Sequence, residues 1–400
     1  DPGPFKPGVQ CGACADGLPG SPIVQATTDD QGHFNLPDVP AGTSIPVVIT
    51  IGKWRRQIKV ASVPACQTTQ IAAVDTTLTK SHDDMTPNTT SVDMPLIAIS
   101  TGSADSLECL VRRLGIADKE ITTDAQGGRI HLFADTKATA GSNGVGTSSF
   151  DTTGFGGGTG AFTDSQTLWG STDAGKLNNY DIVILSCEGG QHPETKPQQA
   201  LDHLKAYADL GGRVFLSHWH NIWVEGNTQA AKPPTEKPAV WATQDATHPG
   251  IATFSDAGNP ANGTVFDDVI DEDPTHNPKG TAFASWMLNV GGSTKRDVVS
   301  LITNTGRDTC SSIDNTKAEQ WVTWTNAGGM KLPQMFQFST PNEAANDSRC
   351  GKVVFSDMHV SGGPGAGSYP TSCGNAAISA QEKALAFMFF DISSCVGGLQ

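Results

Sequence analysis

Three runs of this 400-residue chain, YDIVILSC (180–187), GRVFLSHWH (212–220) and CGKVVFSDMH (350–359), are apolar at consecutive rather than alternate positions, and each ends in serine followed by titratable side chains. Consecutive apolar residues over four or five positions fit strands covered on both faces, which is the environment of a parallel sheet between helices. The intervening text agrees. MPLIAISTG (94–102) is another such run, and SADSLECLVRRLG (103–115) after it places Leu107, Leu110, Val111 and Leu114 at helical spacing before Gly115. GRIHLFAD (128–135) reads as a further strand, and KPQQALDHLKAYADLGG (196–212) as the helix returning the chain to GRVFLSHWH. The last helix, ISAQEKALAFMFF (378–390), opens on the capping-box pattern Ser379-Ala380-Gln381-Glu382 and buries Leu385, Met388 and Phe389.

Ahead of this lies a segment of a different kind. From Ser21 the chain alternates short apolar runs with turns: IVQATT, the Asp29-Asp30-Gln31-Gly32 turn, HFNL, then PVVITIG and RRQIKVASV. The fold class expected is α/β plus all-β: an N-terminal antiparallel β-sandwich, then a doubly wound, mostly parallel α/β sheet with a β-rich insertion. The boundaries are 1–75 for the sandwich, 76–93 for a Thr/Ser/Asp-rich linker, 94–221 with 350–400 for the α/β domain, and 222–349 for the insertion. The Gly/Thr/Ser-rich stretch 139–164 lacks the flanking strand, the Gly-Lys-Ser/Thr and the helix of a phosphate loop, and reads as a surface loop.

Two resemblances attach to these residues. TTDDQGHFNLPDVPAGTSIPVVI (27–49) resembles the carboxypeptidase regulatory-like, transthyretin-type module, which implies a spacer or adhesive sandwich on an exported protein. YDIVILSCEGG, ALDHLKAYADLGGRVFLSHWH and CGKVVFSDMH, in that order, resemble the class I glutamine-amidotransferase-like fold in its trehalose-utilisation-protein-like branch. The combination resembles exported proteins of myxobacterial type. Active amidotransferases carry a cysteine on the turn after the strand matched by GRVFLS. Here His218 stands at that place and no G-x-C-x-G elbow is present, so the resemblance implies a catalytically degenerate domain.

Ligands of open α/β sheets bind beyond the carboxyl ends of the strands. The candidate catalytic residues are therefore Cys187, Glu188, His218 and Asp357: Cys187 as nucleophile, or as a buried packing thiol, and Glu188 or Asp357 as general base. The candidate metal ligands are His218, His220 and His359. His218 and His220 lie two apart, so an extended strand would aim both rings to one face. With a carboxylate they suit zinc. The acidic run FDDVIDEDPTHNP (266–278) reads as a calcium loop or, without an EF-hand's glycine and final glutamate, as a solvated one. The eight tryptophans read mostly as core, with stacking on a carbohydrate partner as the other use.

A formal charge of −15 with no basic block excludes nucleic acid as a partner, and no run reaches the ~18 apolar residues of a membrane helix. The 17 % charged residues and nine cysteines point to an extracellular or outer-surface location. The opening DPGPFKPGVQ lacks a signal peptide's pattern and is expected to begin a mature form. Disulfides are expected at Cys11, Cys14, Cys66, Cys310, Cys350, Cys373 and Cys395, with Cys66 serving the Cys11-x-x-Cys14 pair and the last four pairing among themselves. Asn88, Asn262 and Asn346 head glycosylation sequons. Function is expected to be structural or binding at the cell surface, with self-association through the sandwich and the proline-rich start. The alternative is a metal-assisted hydrolase or carbohydrate-modifying enzyme at the strand ends.

Overall fold

The structure is a computed structural model describing residues 2–12, 20–86, 88–135, 146–170, 175–227, 241–243, 247–255, 264, 266–302, 305–360, 367–374, 377–394 and 396. Its centre is one 11-stranded mixed sheet. The parallel part contains β4 (Ile97–Ser100), β5 (Ile121–Thr122), β6 (Ile130–Ala134), β7 (Thr163–Asp164), β8 (Ile182–Leu185), β9 (Arg213–Ser217) and β16 (Gly351–Ser356). Across the sheet the order runs β16-β9-β8-β4-β6-β5, all parallel. The chain starts at β4, moves one way to β6, then returns to β8, β9 and β16, so the winding direction reverses between β4 and β8.

Alternate residues of these strands feed two separate cores, as consecutive apolar runs require. Ile97, Ile99, Ile130, Ile182, Phe215 and Val354 face one side, against α1 (Leu107–Arg113), α3 (Gly280–Asn289) and α4 (Ala380–Ser393). Ala98, Phe133, Val183, Val214, Leu216 and Val353 face the other, against α2 (Gln198–Asp209). Each of these side chains larger than alanine contributes ~1.5–3 kcal/mol by leaving water. The capping box of α4 forms: Ser379 Oγ accepts from Glu382 N at 3.2 Å and Glu382 Oε2 accepts from Ser379 N at 2.8 Å.

The stretch 222–349, expected as a β-rich insertion, extends the central sheet. After β10 (Ala252–Phe254), strands β11 (Asp267–Ile270), β12 (Val298–Ser300), β14 (Glu319–Thr325) and β15 (Lys331–Thr340) add antiparallel beyond β16, in the order β12-β11-β14-β15-β16. Only β10 pairs elsewhere, with β13 (Cys310–Ile313). The reason is the β15–β16 pairing from Met335↔Ser356 to Thr340↔Gly351, which covers an edge that would otherwise expose unpaired backbone groups.

At the N-terminus lies an antiparallel sheet of three strands, β1 (Gly42–Ile51), β2 (Trp54–Val63) and β3 (Thr89–Asp93). The expected first hairpin contributes no strand. The Asp29 turn forms, with Asp29 Oδ1 accepting from Gln31 N and His33 N, but its flanks are exposed and have no buried face to order a ladder. The supposed linker supplies β3, because buried Arg56 donates to Val74 O (2.6 Å), Thr77 O (2.7 Å) and Thr89 Oγ1 (3.0 Å). Its guanidinium gives a polar stretch the organisation that apolar periodicity would signal elsewhere. Gly52 (φ +54°) turns β1 into β2 so close to α4 that a Cβ there would sit 1.8 Å from Ser393 O.

The proline-rich start is hydrogen-bonded along its own chain. Arg55 Nη2 donates to Gly3 O at 2.7 Å, Lys53 Nζ to Gly8 O at 2.6 Å and Val9 N to Asn178 O at 3.0 Å. Cys11 is disulfide-bonded to Cys350 at the head of β16, 339 residues away. Cys109 of α1, not among the cysteines expected in disulfides, bonds Cys373 across 264 residues. Cys66 (exposed) and Cys310 (buried) are free thiols, correcting both expectations, while Cys14 and Cys395 lie outside the described residues. Cys350 and Cys373, expected to pair within the carboxy-terminal set, each pair instead with a cysteine far upstream. Closing such loops contributes ~6 kcal/mol each in the chain-entropy picture.

Glu108, in the first turn of α1, is fully buried, and neither carboxyl oxygen has a hydrogen-bond partner among the described residues. Burial, reinforced by the charge of Asp105, pushes its carboxyl up to about 8. Unfolding returns it to an ordinary value near 4.5. Between these values the unfolded chain sheds a proton that the native chain keeps, so stability falls as pH rises, by ~1.4 kcal/mol per unit. Urea titrations from pH 5 to 8 are expected to give Glu108→Gln a slope less negative than that of the wild type by about this amount; equal slopes would refute the assignment.

Candidate metal centre at the strand ends

Because β8, β9 and β16 are neighbours and parallel, their carboxyl ends deliver Cys187, His218 and His359 to one place. These three side chains are 0 %, 1 % and 1 % exposed. One donor atom from each lies within 4.8 Å of the other two. Cys187 Sγ is 3.5 Å from His218 Nδ1, and the two imidazole rings are 4.9 Å apart at their centroids. His218 Nε2 and both ring nitrogens of His359 lack hydrogen-bond partners among the described residues. Buried polar atoms are paired in the great majority of cases, so three orphaned nitrogens around one thiol are a pronounced exception.

His218 takes its place through its backbone. The strand ends at Ser217, and His218 adopts φ +41°, a left-handed conformation disfavoured for a side chain larger than glycine. Residues His218–Asn221 then form a 3-10 turn. That turn separates His218 from His220, correcting their assignment to one face: at three residues per turn, positions two apart diverge. His220 Nε2 donates to Ser186 O at 2.9 Å and its Nδ1 accepts from Trp223 Nε1 at 3.0 Å, so both nitrogens are occupied. His220 belongs to the packing, not to the donor cluster.

Neither carboxylate candidate joins the cluster. Asp357 Oδ2 accepts from Cys310 N at 2.9 Å and its Oδ1 from the Thr309 hydroxyl, so it anchors the segment before β13; burial pushes its carboxyl up to about 7. Glu188 Oε2 accepts from Lys196 Nζ at 2.6 Å. Burial alone would raise the Glu188 carboxyl, yet Lys196, itself fully buried with its ammonium 5.6 Å from the Trp169 ring centroid, holds it below the ordinary range. A carboxylate committed to a buried lysine is a poor general base.

The electrostatics of the cluster favour a Lewis acid over an acid–base dyad. Burial, followed by mutual repulsion and the nearby Arg307 charge, keeps the His218 imidazole neutral well below its usual value, and burial with Arg307 does the same for His359. Burial pushes the Cys187 thiol up to about 12, so an empty site holds neither thiolate nor imidazolium and Cys187 is not primed as a nucleophile. Neutral imidazole lone pairs and a thiol that ionises only on binding are the forms that ligate a metal.

The remaining candidates disperse. Asp268 is buried and Asp267 exposed on β11, Asp271 contacts His276 (3.1 Å), and Glu272 is salt-bridged to Arg296, so the acidic run builds no converging calcium site. Among the described residues, Cys187, His218 and His359 form the one group able to hold an ion. Trp169, Trp223, Trp241 and Trp321 are fully buried and unavailable to a sugar ring. Asn88 and Asn346 are exposed, Asn88 Nδ2 donating to Asp75 Oδ2 at 2.9 Å; Asn262 lies outside the described residues. The sequence reading missed Lys196, whose one signal was a lysine beside a proline at the start of a helix. Comparison with known proteins adds nothing further: no protein-family model and no curated protein matches the chain.

Lys196→Ala strands the Glu188 charge in the interior and is expected to lower stability by ~3–5 kcal/mol in urea denaturation. Glu188→Gln combined with Lys196→Met is expected to recover most of that loss. A single variant as stable as the wild type would show that the pair is not buried in solution.

Proposed function

We propose that this chain is an exported metalloprotein whose α/β domain binds one zinc-class divalent ion through Cys187, His218 and His359 and uses it for metal-assisted hydrolysis. The observation that carries the reading is the convergence of three buried donors, with three orphaned ring nitrogens, at adjacent strand ends. One thiolate and two imidazoles suit zinc and other borderline or soft transition ions, not calcium or magnesium, which take oxygen ligands. Three protein ligands leave a position for water, which zinc acidifies towards neutral pH when bound. The location supports a ligand-handling role, since it lies at the carboxyl edge beside the β4/β8 reversal.

The amidotransferase-like reading agrees in one respect: a histidine on the turn after β9 cannot supply a nucleophilic thiolate, so the position is free for ligation. Export is supported by the disulfides Cys11–Cys350 and Cys109–Cys373, and no helix among the described residues is long and apolar enough to cross a membrane. A purely structural role at the cell surface has less support, because the proline-rich segment proposed to bind a neighbour is hydrogen-bonded along its own chain.

Elemental analysis of protein reconstituted with a series of divalent ions is expected to give close to one zinc per chain. Cys187→Ser, His218→Ala and His359→Ala are expected to abolish it; His220→Ala and Asp357→Asn are expected to keep it. Zinc at ~100 times its dissociation constant adds ~2.7 kcal/mol of stability, readable as a rise in melting temperature confined to variants with an intact cluster. Wild-type protein that retains none of the ions tested would end this reading.

A further inference from the structure

The loop leaving β4 touches every segment that carries a proposed metal ligand. Ala104 N donates to Cys187 O at 3.0 Å, and Ser103 Oγ donates to the neighbouring Glu188 O at 2.7 Å. The side chain of Asp105 makes the other two ties. Its Oδ2 accepts from the hydroxyl of Ser217, the residue before His218, at 2.8 Å. Its Oδ1 accepts from the backbone N–H of Val360, the residue after His359, at 3.0 Å, and from Ser106 N at 3.1 Å. Asp105 is fully buried. The approach is close enough to demand glycine at position 102, where a Cβ would stand 2.2 Å from Cys187 O.

Resting on the metal-centre reading, we propose that Asp105 is a positioning residue for the bound ion: its carboxylate fixes the turns that present His218 and His359 in one geometry before the metal arrives. Two observations argue for more than loop packing. The turn at His218 is held in a left-handed conformation that its own sequence disfavours, so an external tie one residue upstream is required to maintain it. The carboxylate also ties together the residues next to two of the three proposed ligands, Ser217 before His218 and Val360 after His359. Outer partners of this kind commonly set metal affinity by ~10–100-fold when removed.

Zinc affinity measured by competition with a chromogenic chelator, and the absorption spectrum of the cobalt(II) form, test the proposal. Asp105→Ala is expected to weaken zinc ~10–100-fold and to shift the cobalt bands. Asp105→Asn keeps an oxygen for Val360 N–H and an amide for the Ser217 hydroxyl, so it is expected to retain the wild-type cobalt spectrum with a smaller loss of affinity. If Asp105→Ala does not fold, Ser217→Ala cuts the His218 tie alone and is expected to move both readouts in the same direction. Folded Asp105→Ala, or Ser217→Ala in its place, with wild-type affinity and an unchanged cobalt spectrum would overturn the role of Asp105 and leave the metal centre standing. Wild-type protein that binds neither ion would overturn the metal centre itself, and this inference with it.

Discussion

Burial of the parallel ladder on both faces is the constraint from which the rest of the molecule follows. A strand such as Ile182–Leu185 has no solvent side on which to place a polar residue, so its titratable neighbours are displaced to the end, where backbone pairing stops and loops diverge. Parallel pairing puts all such ends on the same edge. With β8, β9 and β16 adjacent, Cys187, His218 and His359 meet although 172 residues of chain separate the first from the last.

That same burial decides what the meeting can do. Water exclusion costs any charged form, so the thiol and both imidazoles remain neutral in one another's presence, and a nucleophilic thiolate–imidazolium pair is disfavoured. A cation reverses the balance by ionising the thiol and accepting the imidazole lone pairs. The nearby charged groups are already engaged: Glu188 by Lys196, and Asp357 by Thr309 and Cys310. Acidic residues near the site thus serve mainly to hold segments in place, as Asp105 does between Ser217 and Val360.

The N-terminal sheet is organised differently. It has little apolar core of its own and depends on arginines that bridge separate segments, Arg56 donating to the carbonyls of Val74 and Thr77, and Arg55 to the Gly3 carbonyl and the Asp93 carboxylate. The Cys11–Cys350 bond then ties its leading segment to β16, the strand that brings in His359. Stability of the first unit and geometry of the centre are in this way joined through a single strand.

Strand runs, the winding helices, the capping box at Ser379 and the polar ends were legible in the amino-acid sequence, because apolar periodicity, cap chemistry and strand length are local properties. Cys187, His218 and His359 were legible as candidates for the same reason. Local signals could not separate His218 from His220, since the distinction arises from a left-handed residue that ends the extended conformation one position after Ser217. Nor could they pair Cys11 with Cys350 or Cys109 with Cys373, place β11, β12, β14 and β15 in the central sheet, or find β3 in a Thr/Ser-rich stretch. Those outcomes turn on which strands lie side by side and which buried side chains reach across to them. The sequence by itself determined where polar groups would gather along the chain; only tertiary structure decided which of them share one buried cluster, because that depends on strand order and on partners hundreds of residues away.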